Sequence, residues 1–260
     1  MAADKQLIVV LEGTANMGVH WKTIVSDYLE KIVRKFCGND AVEQTNGTTT
    51  GAETFELGLV QFNTRSYIGA MLMRSGWTRD VDRFLEWLSC MRFIGGGVED
   101  PETAEGLADA LMMFAIPENG YQTDQNLKGK RHCILVTACN PCPLPAPVYR
   151  PNIKDSGPPP LLSDAEAVAQ WFGQCSVSLS VICSRKLPKV RALYEAANRN
   201  HTSADPAVHV QHPRFLVLIS ESFAEACAAL NLPGLAPAQD PVKSLDPNLG
   251  ASSSSHPAVE

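Results

Sequence analysis

Gly13 and Gly18 are spaced like the two glycines of a phosphate-binding loop. In such a loop, backbone amides and a lysine that follows the second glycine hold the phosphate oxygens. Here Val19 and His20 stand where the lysine and its Ser or Thr neighbour should be. No fixed charge is left to meet a phosphate, so the glycines read as what a tight strand-to-helix turn requires. Cys139-Asn140-Pro141-Cys142 is a C-x-x-C pair. Redox work needs such a pair at the start of a helix, which lowers a thiol pKa; Pro143, Pro145 and Pro147 forbid that helix. His209 and His212 could complete a Cys₂His₂ zinc site with the pair. Two histidines three apart just before a strand are also ordinary surface chemistry. No serine lies in a G-x-S-x-G elbow. Glu99, Asp100, Glu102 and Glu105 fall in a loop and the first turn of a helix, where negative charge suits the helix dipole. That leaves Glu12, Thr14 and Asn16, three oxygen-bearing side chains at alternate positions in the Gly13–Gly18 turn.

The elements that position them follow from the hydropathy pattern. Leu7 to Leu11 is an apolar run of the kind found in a strand buried on both faces. From Val19 to Phe36, Trp21, Ile24, Val25, Tyr28, Ile32 and Phe36 share one helical face. In an open α/β sheet, the loop after such a strand is where ligands bind. Phe55 to Phe62 is a second strand. Tyr67 to Met73 follows too closely for a crossover helix, so it pairs antiparallel at the sheet edge. Asp80 to Arg92 and Thr103 to Ile116 are helices separated by Gly95-Gly96-Gly97. His132 to Thr137 is a buried strand. The eight prolines between Asn140 and Pro160 make a long semi-extended loop. Ser163 with Glu166 forms a capping box for a helix through Phe172. Val177 to Cys183 is a strand, and Pro188 opens a helix running to about Arg199. Phe215 to Ile219 and Ser222 to Leu230 supply the last strand and helix. Trp87, Met71 and Met73 sit at the core periphery or mark a contact surface.

Strand–helix alternation implies a doubly wound, mostly parallel six-stranded sheet, with one antiparallel edge strand and helices on both faces. Residues 1–232 read as one domain and 233–260 as a Pro/Ser-rich disordered linker. A hydrophobic fraction of 45% suffices for one sizeable core. A formal charge of −6 with scattered cations argues against direct nucleic-acid binding. No apolar run reaches the roughly 18 residues of a membrane span. The eight cysteines are dispersed, several within apolar runs, which suits a reducing interior and not a disulfide framework.

The turn from Leu7 to Gly18, the edge hairpin and the triple-glycine turn before a helix resemble a von Willebrand factor A domain. That resemblance implies a divalent cation above the sheet. Its ligands would come from an Asp-x-Ser-x-Ser turn, a Thr after a Gly-Gly turn, and an Asp ending the fourth core strand. Glu12, Thr14 and Asn16 replace the first three. Gly97 and Val98 stand where the Thr is expected, and Ala138 where the last Asp should be. The site therefore reads as degenerate, with no metal and no other cofactor, Thr14 and Asn16 serving turn hydrogen bonds and the cap of the first helix. Leu11-Glu12-Gly13-Thr14-Ala15-Asn16 followed by Gly18, with Gly58-Leu59-Val60-Gln61-Phe62 downstream, resembles the N-terminal domains of the Mediator complex subunit 25 family, and the Cys142–Pro160 proline loop with Ser176-Val177-Ser178-Leu179-Ser180-Val181-Ile182 resembles its plant members. The family resemblance implies a nuclear, non-catalytic coactivator module docking to other Mediator subunits. Transcription factors would be met through a downstream region absent here. Two readings compete: a cation-dependent von Willebrand A-type binding domain outside Mediator, and a nucleotide-using enzyme at the Gly13–Gly18 turn.

Overall fold

The computed structural model describes residues 3–38, 53–65, 71–97, 99–114, 130–151, 161–198 and 212–231. Strand β1 (Lys5–Glu12) is buried along nearly its whole length. It pairs in parallel with β2 (Phe55–Phe62) on one side and β4 (Arg131–Thr137) on the other. With β3 (Leu72–Arg74), β7 (Ser178–Cys183) and β8 (Leu216–Leu218) these form a six-stranded sheet, ordered β3-β2-β1-β4-β7-β8. Alternate residues of the strands feed two cores. Ile8, Val10, Phe62, Leu135 and Val181 meet one layer of helices, α4 (Thr103–Met113), α5 (Ala165–Gln174) and α6 (Pro188–Ala197). Leu7, Val9, Leu11, Val136 and Ile182 meet the other, α1 (Ala15–Ile24), α2 (Glu30–Phe36), α3 (Val81–Ser89) and α7 (Ala224–Ala229). This is the period-two pattern of a sheet covered on both faces.

Five local features differ from the sequence expectation. The first helix starts at Ala15, not Val19, and a π-helical segment, Val25–Leu29, joins α1 to α2. The wider turn rotates the buried face, so Leu29 and Val33 are buried beside Tyr28 and Ile32. The edge hairpin forms, with Gln61 opposite Met73, although residues 66–70 lie outside the described ones. The opposite edge is antiparallel too: Ile182 pairs with Val217, making β8 a second antiparallel strand. Within the proline segment, β5 (Ala146–Val148) pairs with β6 (Leu161–Ser163) as a small antiparallel ribbon against α4. Pro147 is tolerated there because a two-stranded ribbon leaves one side of each strand free of ladder bonds. Ser163 ends β6, and Asp164 caps α5 by accepting from the Ala167 amide at 2.8 Å. Residues 39–52, the end of the Thr103 helix with Ala115 and Ile116, and the expected linker 233–260 lie outside the described residues.

Gly106 lets α4 approach β2. A Cβ there would lie 2.6 Å from Phe62 Cδ1 and 3.1 Å from its Cβ. Helix propensity favours alanine by about 1 kcal/mol, but overpacking against a fully buried ring costs about 1–3 kcal/mol. Gly106→Ala is therefore expected to lower unfolding free energy by up to about 2 kcal/mol, measured by urea denaturation. A gain in stability would mean that α4 is free to shift.

Candidate functional site

The sheet's topological switch lies between β1 and β4, where the chain leaves in opposite directions and a crevice normally opens. Glu12 fills that place. It is fully buried at the end of β1. Its Oε2 accepts from the Thr137 hydroxyl at 2.5 Å, the Ala138 amide at 2.7 Å and the Cys139 amide at 3.0 Å. The Thr14 hydroxyl donates to Oε1. A carboxylate offers about four lone-pair positions, and four donors meet this one. The side chain thus stitches the ends of β1 and β4 beyond Leu11 and Val136, the last pair of their mutual ladder.

The surrounding turns close over this tie. Gly96 has φ +83°, and a Cβ on it would lie 2.9 Å from Thr14 Cβ. Only glycine adopts that backbone without strain and comes so near. Ala15 donates to the Gly95 carbonyl at 3.1 Å, and Ile94 to that of Gly13 at 2.9 Å. Asn63 Nδ2 donates to the Ile94 carbonyl at 2.8 Å and the Gly13 carbonyl at 3.3 Å. Gly13 and Gly18 act as close-approach residues: Cβ atoms would fall 2.7 Å from Gln61 Nε2 and 2.8 Å from Phe93 Cβ. Arg185, at the end of β7, holds the Ala138 carbonyl through Nε at 2.8 Å and Nη2 at 2.6 Å.

Three sequence candidates thus meet at one point, in roles partly different from those expected. Thr14 occupies the N-cap position of α1 but makes no side-chain cap; its hydroxyl turns to Glu12. Asn16 donates to Cys139 Sγ at 3.4 Å. Ala138 contributes its amide, not a side chain. Thr137 and Arg185 escaped sequence reasoning, and Cys139, singled out there for its thiol, serves Glu12 through its backbone amide instead. Only their position at the carboxyl ends of core strands could have flagged them. The thiols of the C-x-x-C pair are both free. Burial, with the Glu12 charge, pushes Cys139 up to about 11. His209 lies outside the described residues, and His212 Nε2 is 2.7 Å from Asp27 Oδ2.

A second cluster adjoins the first. Glu102 and Glu105, at the start of α4, are buried, and Arg65 reaches both, 2.8 Å from Glu102 and 3.8 Å from Glu105. One oxygen of each carboxyl is buried without a hydrogen-bond partner. Of the acidic group read from sequence as complementing the helix dipole, Glu102 and Glu105 form a pair pressed into the protein.

A model of the Mediator complex subunit 25 von Willebrand factor type A domain matches residues 1–222. The chain belongs to this family. The subunit 25 of Arabidopsis thaliana is 53% identical over 251 residues, covering 92% of this chain and 29% of that protein. That of Solanum lycopersicum is 50% identical over 240 residues, 88% of this chain and 29% of that protein. This chain therefore spans under a third of the length of the relatives it matches. Their names describe subunits of the mediator of RNA polymerase II transcription, a non-enzymatic family. Among solved structures, the VWA domain of SpRpn10 aligns at 13% identity with a TM-score of 0.44, over 75% of this chain and 82% of that one.

Two expectations follow for this Mediator subunit 25 domain. Glu12→Gln leaves an amide facing backbone donors and should cost about 1–3 kcal/mol of stability in urea denaturation. An unchanged midpoint would remove Glu12 from its role as the tie. Burial, together with the neighbouring Glu102 carboxyl, pushes Glu105 up to about 7. The folded pKa thus exceeds the unfolded one of about 4.3. The native state then holds the extra proton between those values. The resulting stabilisation is complete below the unfolded pKa and is lost as pH rises through about 7. Unfolding free energy measured across that window should decline in the wild type more than in Glu105→Gln. Parallel curves would contradict the assignment.

Proposed function

We propose that residues 1–232 form a docking module that tethers its subunit to other Mediator subunits in the nucleus by protein contact alone, without a bound cation, with 233–260 acting as a linker. Family membership supports the setting. The observation that carries the metal-free reading is the engagement of Glu12 by four protein donors, three at Oε2 and one at Oε1. A hard divalent cation wants near-octahedral oxygen ligation with carboxylate help. Here the buried carboxylate is engaged, Ala138 brings no oxygen side chain, and the Gly96 backbone packs onto Thr14. The residues do not fit the ion that von Willebrand A domains commonly carry. A cation-dependent binding domain outside Mediator would need Glu12 to release its donors. Direct nucleic-acid binding is disfavoured by the net charge of −6. Among the described residues no helix is long and apolar enough to cross a membrane.

The test is affinity capture by the tagged 260-residue chain from nuclear extract, with and without EDTA, read by mass spectrometry. Mediator subunits should be recovered equally in both. Recovery lost with EDTA would show that the altered turn still uses a cation. Recovery of none would overturn the docking reading.

A further inference from the structure

The start of α6 breaks a local rule. A helix N-terminus carries partial positive charge and favours acidic neighbours. The first turn of α6 has no acidic residue, and Leu187 at its N-cap supplies no side-chain acceptor. Instead Lys186 precedes the helix, with Lys189 and Arg191 inside it. None of these three cations is in an ion pair among the described residues. Arg185 and Arg214 add charge nearby, in a chain whose net charge is −6. Such crowding does nothing for the stability of the helix, and departures of this kind gather where a surface is used.

Two of these cations, Lys186 and Arg191, border an apolar floor, while Lys189 faces Asp164 and Glu166 across a neighbouring cleft. A cleft of 340 Å³ lies between the start of α6 and the start of β8, lined by Lys186, Leu187, Pro188, Arg191, Phe215 and Leu216. Among the described residues no carboxylate lines it. Phe215 of the floor is itself packed against other rings. The Phe215 ring centroid is 5.1 Å from that of His212, 5.8 Å from His20 and 6.2 Å from Tyr28. A partner would therefore meet a preformed pocket, which lowers the ordering cost of binding.

We propose that this cleft is a docking surface for an acidic peptide segment that inserts one bulky apolar side chain between Leu187 and Phe215 while its carboxylates face Lys186 and Arg191. The occupant is set by complementarity: an apolar floor too small for a helix or strand to bury, and a rim of one charge. It deepens the docking reading by naming a contact and the chemistry of the partner, and it rests on that reading.

The test is fluorescence anisotropy with the 260-residue chain and a labelled peptide rich in Asp and Glu carrying one central Phe. Saturable binding is expected with Kd on the order of 10–100 μM, weakening as salt rises. Replacing the Phe by Ala should weaken it about fivefold, and the double variant Lys186→Glu/Arg191→Glu about tenfold. Neither position is in a core, so thermal melts of the variant should match the wild type and separate lost binding from lost fold. No saturation, equal binding of the Ala peptide, or indifference to charge reversal would each overturn the proposal. So would self-association of the chain abolished by the same variant, which would assign the cleft to a second copy. The same variant is then used for Mediator capture. Unchanged capture removes the cleft from docking while docking stands. Failure of capture by the wild type, with peptide binding intact, removes the docking reading and leaves the cleft.

Discussion

A buried carboxylate has to be answered from within the protein, and Glu12 is answered from two strands at once. An ionised group left without partners in an interior costs several kcal/mol or more. Its donors here come from the turn just after β1 and from residues more than 120 positions later in the chain. The ends of β1 and β4, past their last mutual pair, are thereby fastened together. Thr14 is drawn inward as one of the donors. That in turn lets the Gly95–Gly97 turn settle on it with a backbone that only glycine tolerates. The closed crown over the sheet is a consequence of where one side chain finds its hydrogen bonds.

Much of the architecture was legible because the governing physics is local. The β1 run, the two-sided burial of the core strands, the edge hairpin and Pro188 at the start of its helix are set by periodicity and backbone chemistry within a few residues. What was not legible depends on partners far away. The direction of β8 turns on how the chain returns after α6, and three apolar residues carry no sign of parallel or antiparallel pairing. The ribbon of β5 and β6 joins Val148 to Leu161 across a stretch of prolines that read as loop. Ser163 and Asp164 are both good caps, and tertiary position chose the second. The π-helical turn has no composition of its own. At the crown, Glu12, Thr14 and Asn16 could be picked out by type and place, whereas backbone amides of Ala138 and Cys139 have no sequence signature.

The charge arrangement repeats the same lesson at larger scale. Acidic residues that would complement a helix start on the surface are pressed inward at α4, where Arg65 reaches over Glu102 and Glu105. Cations gather at the start of α6, where the dipole disfavours them. A formal total of −6 sets the overall electrostatic balance and leaves single faces free to depart from it. Both departures lie at or near the carboxyl ends of the strands, the end of the sheet where α/β proteins place function.

The sheet is bounded on both sides by strands of three residues, β3 and β8, each antiparallel to its neighbour. Short borders of this kind offer little exposed main chain for another strand to zip onto. Growth of the sheet across a subunit boundary is thereby discouraged, and with it the indiscriminate adhesion that open sheet edges invite. Any contact this domain makes is thereby left to the shape and charge of its side chains, which can tell one neighbour from another where a bare backbone cannot.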